Sequence, residues 1–186
     1  MIRILTLCCL FIGLSFGLLA GPVSPGTFYE FSFTVPGVSV TGCFPADPAG
    51  NFCIPSSGTP TTFADAPPWT LSLPSGGLLL ITDAFVSGDS FEILDFGVPI
   101  GMTSAFIPDT DCGDDPVPCL ANPGMSHAEI SLAGGNHSLM IVPLAVGALG
   151  GGSGYFVIIP EPHIGVLAAA GLAFLALRRN RQRRQN

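Results

Sequence analysis

The chain has 186 residues, with thirteen acidic residues, six arginines and no lysine. Among the acids only Glu161 lies outside residues 21–159, and every arginine does, so that stretch carries twelve carboxylates and no permanent positive charge. This excludes nucleic-acid binding, because phosphate neutralisation needs Lys or Arg; anionic polymers are repelled, whereas neutral glycans, cations and apolar ligands are not.

In chain order, residues 1–20 are predicted to be a signal peptide. Arg3 supplies the positive n-region, Ile4 to Leu19 the apolar h-region, and Ala20 a small residue for cleavage before Gly21. Leu18 fits the third position before that cut poorly, so cleavage after Gly17 stays open. Cys8 and Cys9 lie inside the h-region and leave with it. A lipoprotein signal wants a small residue just before the cysteine, and Leu7 is not small.

About 140 residues follow, enough for one domain over 21–159 with a sizeable core. Phe28 to Val35 sets Tyr29, Phe31, Phe33 and Val35 against Phe28, Glu30, Ser32 and Thr34, the period-two pattern of a strand with one buried face. Val38 to Phe44 follows as a second strand across Pro36-Gly37. Residues 45 to 68, rich in Pro, Gly, Ser, Thr and Asp, are predicted to form a long loop. Further strands are expected over 69–73, 78–85, 91–96, 98–105, 128–132, 137–143 and 155–159. No helix is expected, because Pro and Gly punctuate the chain about every ten residues. The fold class is therefore all-β, a single β-sandwich or jelly roll of eight or nine strands.

Cys43, Cys53, Cys112 and Cys119 remain after signal cleavage. An even number in an exported domain implies disulfides, with three connectivities open. Local pairing, Cys43 with Cys53 and Cys112 with Cys119, is expected because both pairs flank loops of Pro, Asp and Gly. A zinc site is the weaker alternative, since the spacings are not CxxC.

Three local features bear on function. Asp109, Asp111, Asp114 and Asp115 place four carboxylates within seven residues. Hard oxygen ligands so close suit Ca²⁺, although the order is not that of an EF-hand; the competing reading is a solvated acidic loop. Asp89, Glu92 and Asp95 suggest the carboxylates of a glycosidase. Strand alternation sends Glu92 and Asp95 to opposite faces, so Asp95 before Phe96-Gly97 reads as a turn residue and catalysis is not expected. Leu132 to Ile141 resembles a late hairpin of jelly-roll adhesion and carbohydrate-binding modules. Its His137, with His127, allows a metal pair or a pH switch, against the simpler reading of a turn-flanking histidine facing solvent. Gly147 to Gly154 reads as a flexible loop between strands and not as a phosphate cradle. No Ser-His-Asp, Cys-His or P-loop pattern occurs.

The C-terminal 27 residues hold Pro160-Glu161-Pro162, an apolar run from Ile164 to Leu177, and Arg178, Arg179, Arg181, Arg183 and Arg184. A fourteen-residue helix reaches roughly 21 Å, short for a bilayer core of about 30 Å. The arginines hold the tail on the cytoplasmic side, which leaves the preceding chain outside. A GPI signal would end in its apolar stretch. The order of motif, short helix and arginine cluster resembles the PEP-CTERM sorting signal of bacterial surface proteins. That resemblance, confined to 160–186, implies an exosortase-type processing enzyme as partner, a membrane-inserted precursor, and a mature form at the cell surface or released. It further implies a structural or adhesive role in an extracellular matrix or exopolysaccharide. A Ca²⁺- or glycan-binding module is the alternative; an enzyme is not expected.

Overall fold

The computed structural model describes residues 21–148 and 150–161. The predicted signal peptide, Pro162, the apolar run 164–177 and the arginine tail lie outside them. In chain order the elements are β1 (Gly21–Pro22), β2 (Phe28–Phe33), β3 (Cys43–Phe44), β4 (Asn51–Phe52), β5 (Thr61–Phe63), β6 (Trp69–Leu73), β7 (Gly77–Asp83), β8 (Ser90–Asp95), β9 (Val98–Met102), α1 (Pro116–Ala121), β10 (His127–Leu132), β11 (Gly135–Ala145) and β12 (Gly152–Pro160). Eight strands have five residues or more. Among the described residues no helix is long and apolar enough to cross a membrane.

Two five-stranded sheets carry the fold, in the orders β1-β6-β11-β8-β9 and β10-β7-β12-β2-β5, with β3-β4 as a small separate ribbon. One apolar core joins them. Alternation along β2 points Tyr29, Phe31 and Phe33 inward, where they meet Trp69, Phe91, Leu139 and Phe156. The rings pack edge-on and tilted: Phe31 to Phe91 at 5.4 Å, Phe33 to Phe91 at 5.1 Å, Trp69 to Phe156 at 4.8 Å. Such geometries suit the aromatic quadrupole. Gly154, opposite Phe31 in the ladder, makes room for them: a Cβ there would stand 2.6 Å from the Phe31 ring. Between β8 and β9 the turn residues Phe96 and Gly97 both have positive φ, 48° and 77°, the signature of a type I′ hairpin.

The structure departs from expectation at four places. The expected strand 38–44 reduces to a single bridge between Ser32 and Thr41 and the two-residue β3. Gly42 there lies so close to residues 64 and 65 that a Cβ would collide with the Ala64 carbonyl. The expected loop 45–68 contains β4 and β5, both paired in parallel. Gly147–Gly154 is a loop only in part, because β12 already begins at Gly152. Finally, α1 forms where no helix was expected: Asp115 caps it, its side chain accepting from the Val117 N–H at 3.1 Å, and Pro116 occupies the first turn.

Candidate functional site

β2 is buried on both faces, although its sequence alternates as if one face were wet. Glu30 and Ser32 point away from the aromatic core and are nevertheless buried, 0 % and 1 % exposed. Their cover is the chain between residues 41 and 57, stapled by Cys43–Cys53, and the segment around α1, stapled by Cys112–Cys119. Ser32 Oγ donates to the Gly42 carbonyl at 2.9 Å and accepts from the Asn51 N–H at 3.1 Å, which fastens the first cover to the strand. Asp47 shapes the same segment, its carboxylate accepting from the N–H groups of Gly42 at 2.8 Å and Ala49 at 2.9 Å. Tyr155, beside Glu30 in the ladder, donates its hydroxyl to the Asp114 carbonyl at 3.0 Å and fastens the second. Burial, then the charges of Glu30 and Asp114, push the Tyr155 pKa up, so the hydroxyl remains a donor.

Glu30 is the anomaly of this layer. Neither oxygen of its carboxyl group has a hydrogen-bond partner of good geometry. Burial pushes its pKa up to about 7, with Ser153 and the Ile54 backbone pulling part of the way back and Asp114 adding to the rise. One of its carboxyl oxygens and the two sulfurs of Cys43–Cys53 lie within 4.8 Å of one another. Among the described residues this is the one such grouping of three metal-ligating side chains. As a disulfide the two sulfurs are poor ligands, since it is the thiolate that binds metal. The arrangement is instead an acid beside a disulfide. Cys43 is buried, its Sγ 3.1 Å from the Glu30 carbonyl oxygen, whereas Cys53 is half-buried and lines a surface pocket of about 350 Å³ together with Phe33, Asn51, Phe85, Gly151 and Ser153.

A buried pair of carboxyl groups stands at the end of β7. Asp83 accepts from the N–H groups of Ala84 at 2.9 Å and Asp89 at 3.2 Å, and Asp89 accepts from Gly147 at 2.8 Å. Burial raises both pKa values, and the Asp89 charge raises that of Asp83 further, so the pair favours holding a proton. Residue type and spacing gave no sign of this pair or of Glu30; the only available signal was the lack of any Lys or Arg to meet a buried carboxylate.

The four aspartates expected to gather around Ca²⁺ are put to separate uses. Asp111 accepts from the Gly113 N–H at 2.8 Å; Asp114 accepts from the hydroxyl of Ser57 at 2.7 Å and its N–H at 3.1 Å; Asp115 caps α1; and Asp109 takes a positive φ of 60° in an exposed turn. The Ser57–Asp114 contacts tie the two stapled covers to each other.

His137 does not face solvent as a turn-flanking residue would. It is 6 % exposed, with Nδ1 2.7 Å from Asp95 Oδ2 and Nε2 2.9 Å from the Ala133 carbonyl, while the Ser138 N–H donates to the other Asp95 oxygen at 2.8 Å. Asp95 therefore fixes β11 against β8 and does more than begin a turn. His127, in the other sheet, has its Nδ1 2.9 Å from the Met125 carbonyl. Pro160 closes β12 opposite Gly77, and the Glu161 N–H donates to the Gly76 carbonyl at 3.1 Å.

No protein-family model, curated protein or solved structure matches this chain.

Proposed function

We propose that this chain is an exported bacterial protein whose β-sandwich is delivered to the cell surface by the sorting signal in residues 160–186, where it serves a structural or adhesive role in a matrix or exopolysaccharide. The observation that carries the reading is where β12, the last described strand, stops. Among the described residues β12 runs to Pro160 and Glu161 makes the last contact beyond it, so the sandwich takes in the first two residues of the Pro-Glu-Pro motif. Two disulfides suit an oxidising compartment. The segregation of every arginine to residues 3 and 178–184 suits two signals flanking one acidic domain.

In this reading an exosortase-type enzyme takes the membrane-inserted precursor and cuts near Pro160 to Pro162. Because Pro160 is paired in the sheet, the cut requires the end of β12 to fray or lies on its outer side. The test is the mass of the C-terminal peptide of protein recovered from cells. An end near residues 160–162 supports the proposal; persistence of Asn186 in the surface form defeats it. Glu161→Ala should leave membrane insertion intact and block the trimming, since insertion follows hydrophobicity and the cut follows the motif.

A further inference from the structure

The two disulfides are alike in exposure and unlike in surroundings. Each joins one buried sulfur, Cys43 or Cys119, to one half-buried sulfur, Cys53 or Cys112. Only the first has a fully buried carboxyl group without a hydrogen-bond partner of good geometry within 4.8 Å of its sulfurs. Only the first opens through its half-buried sulfur onto the pocket that Ser153 lines, a residue near enough to the Glu30 carboxyl to lower its pKa.

We propose that Cys43–Cys53 is an exchangeable disulfide that reacts with a dithiol, Cys53 being the sulfur attacked and Glu30 the acid that protonates the Cys43 sulfur as it departs. The need for an acid follows from the charge of the domain. Thiol–disulfide exchange is an attack by a thiolate on one sulfur with expulsion of the other as a thiolate. Here the expelled sulfur is buried, and residues 21–159 contain no Lys or Arg to stabilise it as an anion. A proton must therefore reach it, and the carboxyl group of Glu30 is the acid at hand. Separations of this kind are common before the reacting complex forms and tighten within it.

The steps balance. A thiolate of the incoming dithiol forms a bond to Cys53 Sγ; the Cys53–Cys43 bond breaks; its electron pair goes to Cys43 Sγ, which takes the proton of Glu30 and donates the resulting S–H to the Glu30 carbonyl oxygen 3.1 Å away. Glu30, now a buried carboxylate, recovers a proton from water through the pocket. The second thiol of the dithiol, deprotonated, attacks the dithiol's first sulfur in the mixed disulfide and expels Cys53 as a thiolate, which takes a proton from water. The protein disulfide is reduced to two thiols and the dithiol is oxidised to its disulfide. In reverse, Glu30 removes the Cys43 proton and the protein oxidises to the bonded state.

The experiment uses the full chain as exported, with dithiothreitol as the dithiol. Samples are quenched in acid, alkylated, and each cysteine pair is followed by peptide mass, with rates divided by the concentration of dithiothreitol thiolate. The Cys43–Cys53 rate should fall about tenfold between pH 6 and pH 8, as a carboxyl group titrating near 7 loses its proton. The Cys112–Cys119 rate should stay level over the same range. Glu30→Gln should slow the first pair at pH 6 by about tenfold or more, remove its pH dependence, and leave the second pair unchanged. A level profile for Cys43–Cys53 in the unaltered protein overturns the proposal without any variant, and so does an unchanged rate in Glu30→Gln.

Discussion

Asp95 and His137, 42 residues apart in the chain, meet at 2.7 Å, a side-chain contact that joins β8 to β11. Both ring nitrogens of His137 face acceptors, the Asp95 carboxylate and the Ala133 carbonyl. Asp95→Ala strips His137 and the Ser138 N–H of their shared acceptor, and the expected loss is about 1–3 kcal/mol in urea unfolding. Adding His137→Ala should cost much less than it does alone, because the two act as a unit. Additive losses would mean that the contact carries no coupling. Glu92→Ala, on the same strand, is the control and should change stability by no more than about 0.5 kcal/mol.

Buried carboxyl groups should make this domain more stable in mild acid than at neutral pH. Glu30 titrates near 7 in the folded chain against 4.5 ordinarily, and Asp83 is raised as well. Between those values the folded protein holds a proton that the unfolded chain releases. The stabilisation is therefore complete below about 4.5 and is lost as pH rises through 7. For Glu30 the loss is on the order of 3 kcal/mol. Melting temperature measured from pH 8 down to pH 5 should rise, and Glu30→Gln should flatten that part of the slope that ends near 7. A curve that falls toward pH 5 would show that these carboxyl groups are ionised and solvated.

Packing between β12 and β2 should be intolerant of side chains at residue 154. A Cβ there meets the Phe31 ring at 2.6 Å and the Thr82 carbonyl oxygen at 2.9 Å. The second contact is with backbone and cannot swing away. Gly154→Val is expected to lower stability by about 1–3 kcal/mol through overpacking, seen as a lower denaturant midpoint with an unchanged slope. Phe31→Leu in the same chain should recover only part, since the Thr82 carbonyl stays where it is.

These relationships mark where reading the sequence stops. Period-two alternation correctly sends Tyr29, Phe31 and Phe33 to the core, and the loop-flanking cysteines pair locally as expected. Alternation is a property of six residues and does not know what lies on the far side of the strand. That Glu30 is covered depends on two stapled segments folding back from residues 41–57 and 110–122, contacts no local pattern carries. The Asp95–His137 pair is lost for the same reason. α1 was legible in part: Asp115-Pro116 is a capping residue followed by a first-turn proline, read instead as one more interruption. Gly152 to Gly154 looked like linker because glycine marks flexibility, whereas here it is the space beside two phenylalanine rings.

The acidic run at Asp109–Asp115 should respond to ions without discriminating among them. Twelve carboxylates and no Lys or Arg in residues 21–159 repel one another, so added salt should raise the melting temperature by screening. A Ca²⁺ site would add a separate stabilisation of RT ln(1 + [L]/Kd), about 2.7 kcal/mol at a hundredfold excess over Kd. It requires several oxygens converging on one point. Asp111, Asp114 and Asp115 instead accept from Gly113, Ser57 and Val117, three separate donors, and to converge they would have to surrender the loop turn, the tie between the stapled covers and the helix cap. Millimolar Ca²⁺ and Mg²⁺ at equal ionic strength are therefore expected to give equal shifts, and Asp111→Ala should not separate them. Asp114→Ala should lower the melting temperature in either ion, because it cuts the contact to Ser57. A Ca²⁺ shift well beyond that of Mg²⁺, abolished by Asp111→Ala, would show that the loop rearranges to bind the ion.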